Sequence, residues 1–265
     1  MNFQKETQNR ITNRKQKSLF DVNTILEHFA IISFKVPVDR IKKYIPKRFE
    51  LWTFKEGGKE YALISAVPFK DQDFSFYRLS KFPKFNFYQT NYRAYVIDKK
   101  DNAHVAWFFG TTLGSLACMI PEKIWKMPWK KGSYYFDYEF NNSVYSKYNM
   151  TFNSAHGKGK VDIISTKEDM KLHEGFTNLD EQIHILTHPV KGYYQIDNHL
   201  LGEYEIWHPK IELKECKVKH VYFEFFEKLE LLTKEEMKTP HSVLITPKIE
   251  FDILLPPEKI KNGCK

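Results

Sequence analysis

The amino-acid sequence predicts a mainly β (α+β) protein, with an antiparallel β-barrel or sandwich and a few appended helices. At least nine short segments show strand patterns of β-branched and aromatic residues bounded by turn residues, whereas helical patterns are few. The helical segments do not alternate with the strands, which argues against a doubly wound parallel sheet. No fixed-period repeat and no long linker occurs, so one domain is predicted.

The first half of the chain is predicted to contain a strand, a short helix and two hairpins. Residues 28–34 form an apolar strand run that ends at Pro37, a residue suited to the start of the helix that Pro46 ends. Residues 69–87 are expected to form an aromatic loop that contains proline. The two hairpins join residues 51–54 to 61–67, and residues 91–97 to 105–109.

The second half of the chain is predicted to contain further strands and three helices. One helix is expected to start at Ser115 and to kink or break at Pro121, and a second is expected over 179–187 after Thr177. Residues 221–232 are expected to be helical in their second part. Strands are expected over residues 134–140, 145–152, 161–164, 192–196, 203–207, 242–246 and 249–254.

The positive charge of the chain is concentrated at its beginning. Half of the formal net charge of +8 lies in the first twenty residues, so we expect a flexible basic tail over residues 1–19 and a single domain over residues 20–265. Only six of the 41 basic residues are arginine, the side chain that phosphate and base recognition favours. This lysine-rich, mixed surface indicates solubility, and no nucleic-acid partner is predicted.

Cysteine usage and hydropathy predict the compartment. Cys118, Cys216 and Cys264 lie far apart and form no CxxC pair, so neither a zinc ribbon nor a disulfide framework is predicted. Reduced thiols are typical of the cytoplasm. The sequence contains no apolar run of signal-peptide or membrane-span length. We therefore expect a cytoplasmic protein that has no membrane partner.

Two histidines have the spacing of metal ligands. His184 and His188 are four residues apart, so both lie on one face of the predicted helix. The glutamate of an HExxH motif is missing, however, and Pro189 ends the helix directly afterwards. No metal site is predicted, and the chain also lacks nucleotide-binding glycine motifs and a G-x-S-x-G elbow.

Four lysines crowd the segment 121–132 beside two tryptophans. Adjacent ammonium groups near apolar surface lower each other's pKa. A neutral lysine can attack a ketone and form a Schiff base, which serves as an electron sink. Lys130 and Lys131 are therefore candidate catalytic amines. The alternative is a solvated lysine pair at the end of a loop.

A predicted strand carries an arginine toward the interior. Asn91, Arg93 and Tyr95 share one face of this strand, because alternate side chains point the same way. A guanidinium stays charged, so an inward arginine is costly without an anionic partner. Two interpretations remain open, namely that Arg93 binds the carboxylate of a ligand in a cavity, or that it pairs with an internal Asp or Glu. His188 is a weaker candidate for the same pocket.

Short segments along the chain resemble one known family when they are read in order. They span residues 25 to 255, and the most specific of them is NYRAYV at residues 91–96. The resemblance is to the DUF2071 (YqjF-like) family of the acetoacetate decarboxylase-like superfamily, and it implies a mainly antiparallel β-barrel that encloses a cavity. The other matching segments are HFAIISF at 28–34, VP at 36–37, IP at 45–46, FEL at 49–51, VPF at 67–69, 85–89, WFF at 107–109, MPW at 127–129, LTH at 186–188 and WHP at 207–209.

The resemblance also implies a chemistry for the lysine segment. In acetoacetate decarboxylases, a Schiff-base lysine and a lysine that lowers its pKa directly follow a proline in a similar segment. Here Pro128 is followed by Trp129, and Lys130 comes one position later. An ungapped match therefore places Trp129 at the nucleophile position. A shift of one residue in a strand turns a side chain to the opposite face, so the direction of Lys130 and Lys131 decides the chemistry.

Two functions from different classes are therefore predicted for a barrel that binds a small carboxylated or carbonyl-bearing molecule. The first is a cofactor-independent lyase of the decarboxylase, dehydratase or aldolase kind, in which Lys130 or Lys131 is the nucleophile. Arg93 then anchors the carboxylate, with Asn91 or His188 as a polar assistant. No cofactor is predicted, because the Schiff base itself is the electron sink.

The second predicted function is a non-catalytic ligand-binding barrel. In this alternative, Trp129 fills the space that a reactive lysine would use, and Arg93 and Tyr95 border the ligand. The expected partner is a small molecule in both cases. Barrels of this sort also assemble, so a homo-oligomer is an open expectation.

Overall fold

The computed structural model describes residues 2–77, 84–115, 119–189 and 191–262. Within these ranges there are two 3₁₀ turns, at Lys42–Tyr44 and Glu236–Lys238. The helices and strands follow the chain in this order: α1 Phe3–Thr12, β1 Val22–Pro37, α2 Val38–Ile41, β2 Phe49–Leu51, β3 Thr53–Glu56, β4 Lys59–Phe76, β5 Phe85–Asp98, β6 Ala103–Leu113, α3 Met119–Trp125, β7 Trp129–Asn141, β8 Val144–Ser154, β9 Gly157–Asp169, α4 Leu179–Thr187, β10 Lys191–Gln195, β11 Leu200–Trp207, β12 Lys214–Phe223, α5 Glu224–Lys228 and β13 Ser242–Lys261.

The strands form one 13-stranded sheet, and this sheet is mixed. Strand β6 pairs in parallel with both β7 and β10, so the prediction of a purely antiparallel sheet was wrong. Parallel neighbours need a crossover connection, and α3 lies in the one between β6 and β7. Turn residues in the sequence identify hairpins only, which is why the crossovers were missed. The mainly β class is confirmed, and the closed barrel stays a prediction.

The order of the strands places the first and last strands side by side. Along the sheet the order is β11-β10-β6-β7-β8-β9-β12-β13-β1-β4-β5-β2, with β3 paired to β4. Strand β1 therefore lies between β13 and β4. Two further pairings, β5 with β6 and β11 with β13, join strands that are distant in this order.

Strands β1, β4 and β5 are buried on both faces. On one face, residues such as Ile32 and Ile64 belong to the larger apolar core, and on the other face Ile31 and Leu63 belong to a second core. Strands covered on both sides read as continuous apolar runs rather than as alternating ones. This is why the segments 28–34 and 61–67 were recognisable as strands.

The N-terminal segment differs from the expected flexible tail. Residues 3–12 form α1, which packs against α4. Thr7 is buried, and its hydroxyl lies 2.9 Å from Nδ1 of His184. The guanidinium of Arg10 donates to the carbonyl oxygen of His188. Contacts made by polar side chains hold this helix, and a pattern of apolar residues does not reveal them.

The aromatic segment 69–87 is not a loop over most of its described length. Strand β4 continues to Phe76 and β5 begins at Phe85, while residues 78–83 lie outside the described ranges. The register between the two strands shifts between Asp71 and Phe74, and Asp73 has a positive φ of 59°. A β-bulge of this kind interrupts the two-residue period by which a strand is recognised.

The remaining elements agree with the predictions in part. Helix α4 has the predicted bounds, but its N-cap is Asn178 rather than Thr177, with Oδ1 accepting from the backbone N–H of Glu181 at 2.9 Å. The predicted N-cap Ser115 precedes residues 116–118, which lie outside the described ranges. Strand β12 was missed because lysines interrupt its apolar pattern. None of the described helices is long and apolar enough to span a bilayer.

Candidate functional site

A cavity of about 290 Å³ is bordered by strands from several parts of the sheet. Strands β4, β5 and β6 form one wall, and β1, β11 and β13 contribute to the others. The wall is mostly apolar with a few polar groups, which is typical of a site for a small organic ligand. Its aromatic side chains include Phe29, Phe69, Phe74, Phe87, Phe108 and Trp129.

Strand β5 supplies one row of side chains along the cavity, because alternate residues of a strand face the same way. The row runs from Phe85 and Phe87 through Gln89 and Asn91 to Arg93. One end of the row is therefore apolar, its middle carries amides, and its other end is cationic. Phe87 and Arg93 are six residue steps apart, which corresponds to roughly 20 Å of strand.

A β-bulge in β6 lies opposite the cationic end of this row. The register shifts between Phe108 and Gly110, so Phe109 has no Cα partner on β5. The extra residue changes which side chains face the cavity, because Phe108 borders it before the bulge and Thr111 and Leu113 border it afterwards. Bulges commonly redirect side chains next to functional sites.

Arg93 borders the cavity and is 7% exposed. Its Nη2 donates to the carbonyl oxygen of Leu186 at 2.8 Å and lies 3.4 Å from the hydroxyl of Tyr95. Within the described ranges, its Nε has no hydrogen-bond partner, and no carboxylate forms an ion pair with this guanidinium. The charge of Arg93 is therefore uncompensated in the described part of the protein.

Arg48 shows how this fold holds a buried arginine that has a structural partner. Its Nε lies 3.0 Å from both carboxylate oxygens of Asp98, and its Nη2 lies 2.6 Å from Oδ2. The Asp98 side chain is fully buried, and Tyr193 donates to it at 3.2 Å. Arg48 therefore pairs with an internal acid, which is one of the two interpretations of Arg93. Among the described residues, Arg93 has no such acid.

Polar side chains in the middle of the cavity wall are connected by hydrogen bonds. Gln89 Nε2 donates to Asn91 Oδ1 at 2.8 Å, and the hydroxyl of Thr111 donates to the same oxygen at 2.9 Å. All three residues border the cavity. Both of these bonds engage the oxygen of Asn91, so its Nδ2 is the donor that can point at a ligand.

Tyr95 contacts Arg93 but lies outside the cavity wall. It is 1% exposed and belongs to the second apolar core. Its hydroxyl lies 2.7 Å from the hydroxyl of Ser65, and its ring centroid lies 5.3 Å from the guanidinium carbon of Arg93. Tyr95 therefore positions the arginine and does not itself border the cavity among the described residues.

His188 lies next to the cavity but not on its wall. Its neighbours Thr187 and Pro189 border the cavity, whereas His188 Nδ1 lies 2.6 Å from the hydroxyl of Thr187. Burial, with a smaller contribution from His208, lowers the pKa of His188 to about 2, so the ring is neutral. In the described ranges, no group of three or more His, Cys, Asp or Glu side chains could hold a metal ion.

The lysine pair and Trp129 occupy different surroundings. Trp129 pairs with Thr111 and borders the cavity. Lys130 points to the opposite face of β7, where its Nζ lies 2.5 Å from Oε1 of Glu122, and Lys131 is exposed. Neither lysine belongs to the cavity wall in the part of the chain that the structure describes. Because Lys130 comes one residue after the position that directly follows Pro128, the indole of Trp129 borders the cavity at this point and the amine of Lys130 does not.

Lys191 borders the cavity, although no motif or spacing distinguishes it from the other lysines among the 35 in the chain. It lies at the start of β10, and its ammonium forms an ion pair with Glu203. Desolvation lowers the pKa of Lys191, but the hydrogen bond and charge of Glu203 outweigh this effect, and the pKa is raised overall. The amine is therefore held in its protonated form, which is not nucleophilic.

Asp71 is a second polar residue that the sequence analysis missed. It borders the cavity, is 2% exposed and lies opposite Phe87, at the far end of the row that ends in Arg93. The hydroxyl of Thr24 lies 3.1 Å from Oδ1, and Oδ2 has no hydrogen-bond partner in the part of the chain that the structure describes. Burial raises the pKa of Asp71 to about 7, against the opposing effect of Thr24. Asp71 was missed because the segment that contains it was predicted to be a loop, and a carboxyl group in a loop does not indicate a cavity.

Replacing Asp71 by asparagine is expected to change how stability depends on pH. An unfolded aspartate ionises near pH 3.9, whereas the folded one retains its proton up to about pH 7. Between these values wild-type stability falls as pH rises, because the unfolded state has released a proton that the folded state keeps. Since burial of an amide is itself unfavourable, we expect Asp71→Asn to be more stable than wild type by about 1–3 kcal/mol at pH 8.

Urea unfolding at pH 8 and pH 4 measures this effect, and the advantage of Asp71→Asn is expected to vanish at pH 4. Asp169→Asn is the matched control, because the Asp169 side chain is 85% exposed and its removal leaves the pH dependence nearly unchanged. Identical pH dependence in wild type and Asp71→Asn would mean that the folded state already holds Asp71 ionised below pH 4.

Comparison with known proteins identifies similar chains by sequence and by fold. The family model DUF2071, described as an uncharacterized conserved protein, matches residues 24–250. No curated protein matches the chain in sequence. The structure of acetoacetate decarboxylase from Legionella pneumophila subsp. pneumophila str. Philadelphia 1 is similar over 93% of this chain and 91% of that chain, with a TM-score of 0.56 at 11% identity.

Two further solved structures share this fold. The enduracididine biosynthesis enzyme MppR, in complex with pyruvate, covers 95% of this chain and 93% of its own, with a TM-score of 0.57 at 8% identity. An acetoacetate decarboxylase-like enzyme from Sphingomonas wittichii RW1 covers 92% and 94%, with a TM-score of 0.55 at 8% identity. At these identities the likeness is one of fold.

Proposed function

Because this chain belongs to the DUF2071 family and its fold is similar to that of acetoacetate decarboxylase, we propose that it binds an apolar carboxylic acid, with Arg93 as the carboxylate-binding residue. The observation that carries the proposal is the buried guanidinium on the cavity wall, for which the described residues supply no acidic partner. An unpaired buried charge is costly, and a ligand carboxylate relieves that cost.

The rest of the cavity wall supports an apolar body for this ligand. Aromatic rings surround most of the cavity, and each methylene group that a ligand transfers from water to such a wall contributes about 0.8 kcal/mol. Asn91 and Thr111 supply polar groups near the middle of the wall, where a second oxygen of the ligand can be held. Affinity is thus expected to come from apolar burial, and selectivity for acids from Arg93.

We favour binding without covalent catalysis. Lys130 is paired with Glu122 on the opposite face of β7, and Trp129 occupies the position next to the cavity. Lys191 does border the cavity, but its ion pair with Glu203 keeps it protonated. A Schiff base requires a neutral amine within reach of the ligand. Lys130, Lys131 and Lys191 each fail at least one of these two requirements.

Titration with matched head groups tests the proposal. Trp125 and Trp129 border the cavity, so their fluorescence reports its occupancy. For the series from hexanoate to decanoate, we expect the affinity to rise about fourfold per methylene group. Decanamide is expected to bind at least about tenfold more weakly than decanoate, because it lacks the charge. Equal affinity of the acid and the amide, or no binding of any acid, contradicts the proposal.

Borohydride reduction in the presence of pyruvate tests the non-catalytic part separately. We expect the intact mass of the wild-type protein to stay unchanged, because Glu203 holds Lys191 protonated and neither Lys130 nor Lys131 belongs to the described cavity wall. A borohydride-stable adduct on any lysine would overturn this part and would restore the Schiff-base lyase. Peptide mapping would then distinguish Lys191 from the pair Lys130 and Lys131.

A further inference from the structure

We propose that the cavity has a second recognition point at Asp71, which binds a hydroxyl group at the end of the ligand opposite its carboxylate. The ligand class is then a chain-like hydroxy acid rather than a simple carboxylic acid. The inference rests on the proposed function, because Arg93 fixes the carboxylate end. It goes beyond that function in naming the group at the other end of the ligand.

The first argument is that Asp71 has no structural partner that accounts for its burial. Among the described residues, Thr24 is the only hydrogen-bond donor to its carboxyl group, at Oδ1, and Oδ2 has no hydrogen-bond partner there. No cation of the described residues forms an ion pair with it, in contrast to Asp98 and Asp252, which pair with Arg48 and Arg14. Buried polar groups in proteins are nearly always satisfied, so an unpartnered carboxyl oxygen on a cavity wall indicates a missing ligand group.

The second argument is the surroundings of Asp71. Phe69, Phe74 and Phe87 border the same part of the cavity, so water has little access to the carboxyl group there. A purely apolar end of the cavity would hold a hydrocarbon chain equally well, so the protein needs no carboxyl group there for that purpose. A carboxyl group at this place therefore has a use only if it meets a polar atom of the ligand.

The third argument selects a hydroxyl among the groups that a carboxyl can bind. A hydroxyl both donates and accepts, so it pairs with Asp71 whether the carboxyl is ionised or protonated. An ammonium group can only donate and requires the ionised form, which an apolar environment disfavours. A second carboxylate on the ligand would meet Asp71 with like charge. The hydroxyl is thus the group that fits this end of the cavity.

The distance between the two recognition points sets the length of the ligand. Asp71 lies opposite Phe87 on β5, and Arg93 follows six residues later on the same face. At about 3.3 Å per residue this separation is roughly 20 Å. The aromatic wall between the two points suits a hydrocarbon chain, so a long ω-hydroxy acid meets both ends.

Matched ligand pairs test the inference on the wild-type protein. We would measure affinity by tryptophan fluorescence for decanoate, dodecanoate, tetradecanoate and hexadecanoate, each against its ω-hydroxy counterpart. At one chain length, the hydroxy acid is expected to bind about tenfold more tightly than the plain acid, since a hydrogen bond to a buried carboxyl is gained. At shorter lengths the hydroxyl group falls short of Asp71, and the plain acid is expected to bind at least as well.

Substitution of Asp71 provides the second measurement. In Asp71→Leu, the preference for the hydroxy acid is expected to disappear, so that the plain acid and its ω-hydroxy counterpart bind with equal affinity at every chain length. Asp71→Asn keeps hydrogen-bonding capacity and is expected to retain part of the preference. Thermal unfolding of both variants shows that they are folded. If Asp71→Leu does not fold, the wild-type ligand pairs still decide the question.

The possible failures are distinguishable. If no acid of any length binds, the proposed function itself is overturned. If plain and hydroxy acids bind equally at every length, or if Asp71→Leu retains the full preference, the role of Asp71 is overturned and carboxylate binding by Arg93 stands. A preference for ω-amino acids over ω-hydroxy acids would overturn the assignment of a hydroxyl group.

Discussion

Replacing Arg93 by methionine is expected to weaken the binding of decanoate at least about 100-fold without lowering the thermal stability of the ligand-free protein. Loss of one partner from a buried charge pair typically costs about 2–5 kcal/mol of binding free energy. The ligand-free protein does not suffer this loss, because the described residues contain no acid paired with Arg93. Methionine has a similar length and fills the same volume, so the melting temperature is expected to stay equal or to rise.

Arg93→Lys separates charge from geometry at this position. Lysine keeps the positive charge but has only one ammonium group on a flexible stem, so it cannot reproduce the planar guanidinium contacts. We expect an affinity for decanoate between those of wild type and Arg93→Met. Fluorescence titration and thermal unfolding of the three proteins provide the measurements. A clear loss of stability in Arg93→Met, with unchanged affinity, would show that Arg93 is a structural residue.

Replacing Arg48 by methionine is expected to destabilise the protein by about 3–5 kcal/mol, the largest stability effect that we expect from a single substitution. The variant leaves the buried carboxylate of Asp98 without its cation. In wild type, Arg48 outweighs the desolvation of Asp98 and lowers its pKa. The stabilisation is therefore present above the pKa of an unfolded aspartate and is lost as the pH falls through the folded value, so the effect of Arg48→Met is expected to shrink in acid.

Urea unfolding at pH 7 and at about pH 2.5, well below the value of about 3.9 at which an unfolded aspartate ionises, measures the contribution of Arg48, and Arg40→Met is the matched control. Arg40 pairs with Glu236 at 2.9 Å, but both side chains are 39% exposed, so less than about 1 kcal/mol is expected. The stabilities of Arg48→Met, Arg40→Met and Arg93→Met distinguish a buried ion pair, a surface ion pair and an arginine that has no acidic partner among the described residues. If Arg93→Met destabilises the protein as much as Arg48→Met, Arg93 is a structural residue like Arg48, and the proposal that it binds a ligand is overturned.

Part of the site could be inferred from strand periodicity. Asn91 and Arg93 were expected on one face because a strand alternates its side chains, and both border the cavity. Helix α4 was recognisable because its apolar residues recur at helical spacing and Pro189 ends it. These features depend on local geometry, which neighbouring residues in the sequence determine.

The rest of the site depends on contacts between distant segments. Asp71 lies beside a β-bulge, and the bulge disrupts the alternation that would have revealed a strand. Lys191 borders the cavity because β10 pairs in parallel with β6, a pairing that no turn residue announces. The direction of Lys130 likewise follows from the parallel register of β7 against β6. Such crossovers are tertiary properties, and a single sequence does not specify them locally.

The position of β1 affects how the protein is made in the cell. Val22 pairs with Ile253, so β1 cannot complete its pairing until β13, more than 200 residues later in the chain, has been translated. Closing so long a loop is entropically costly and slows folding. Until then, a nascent chain with Ile31 and Ile32 exposed is a candidate for chaperone binding or aggregation. Because β1 and β13 both border the cavity, a newly made molecule can first take up a guest only after β13 has been synthesised and paired.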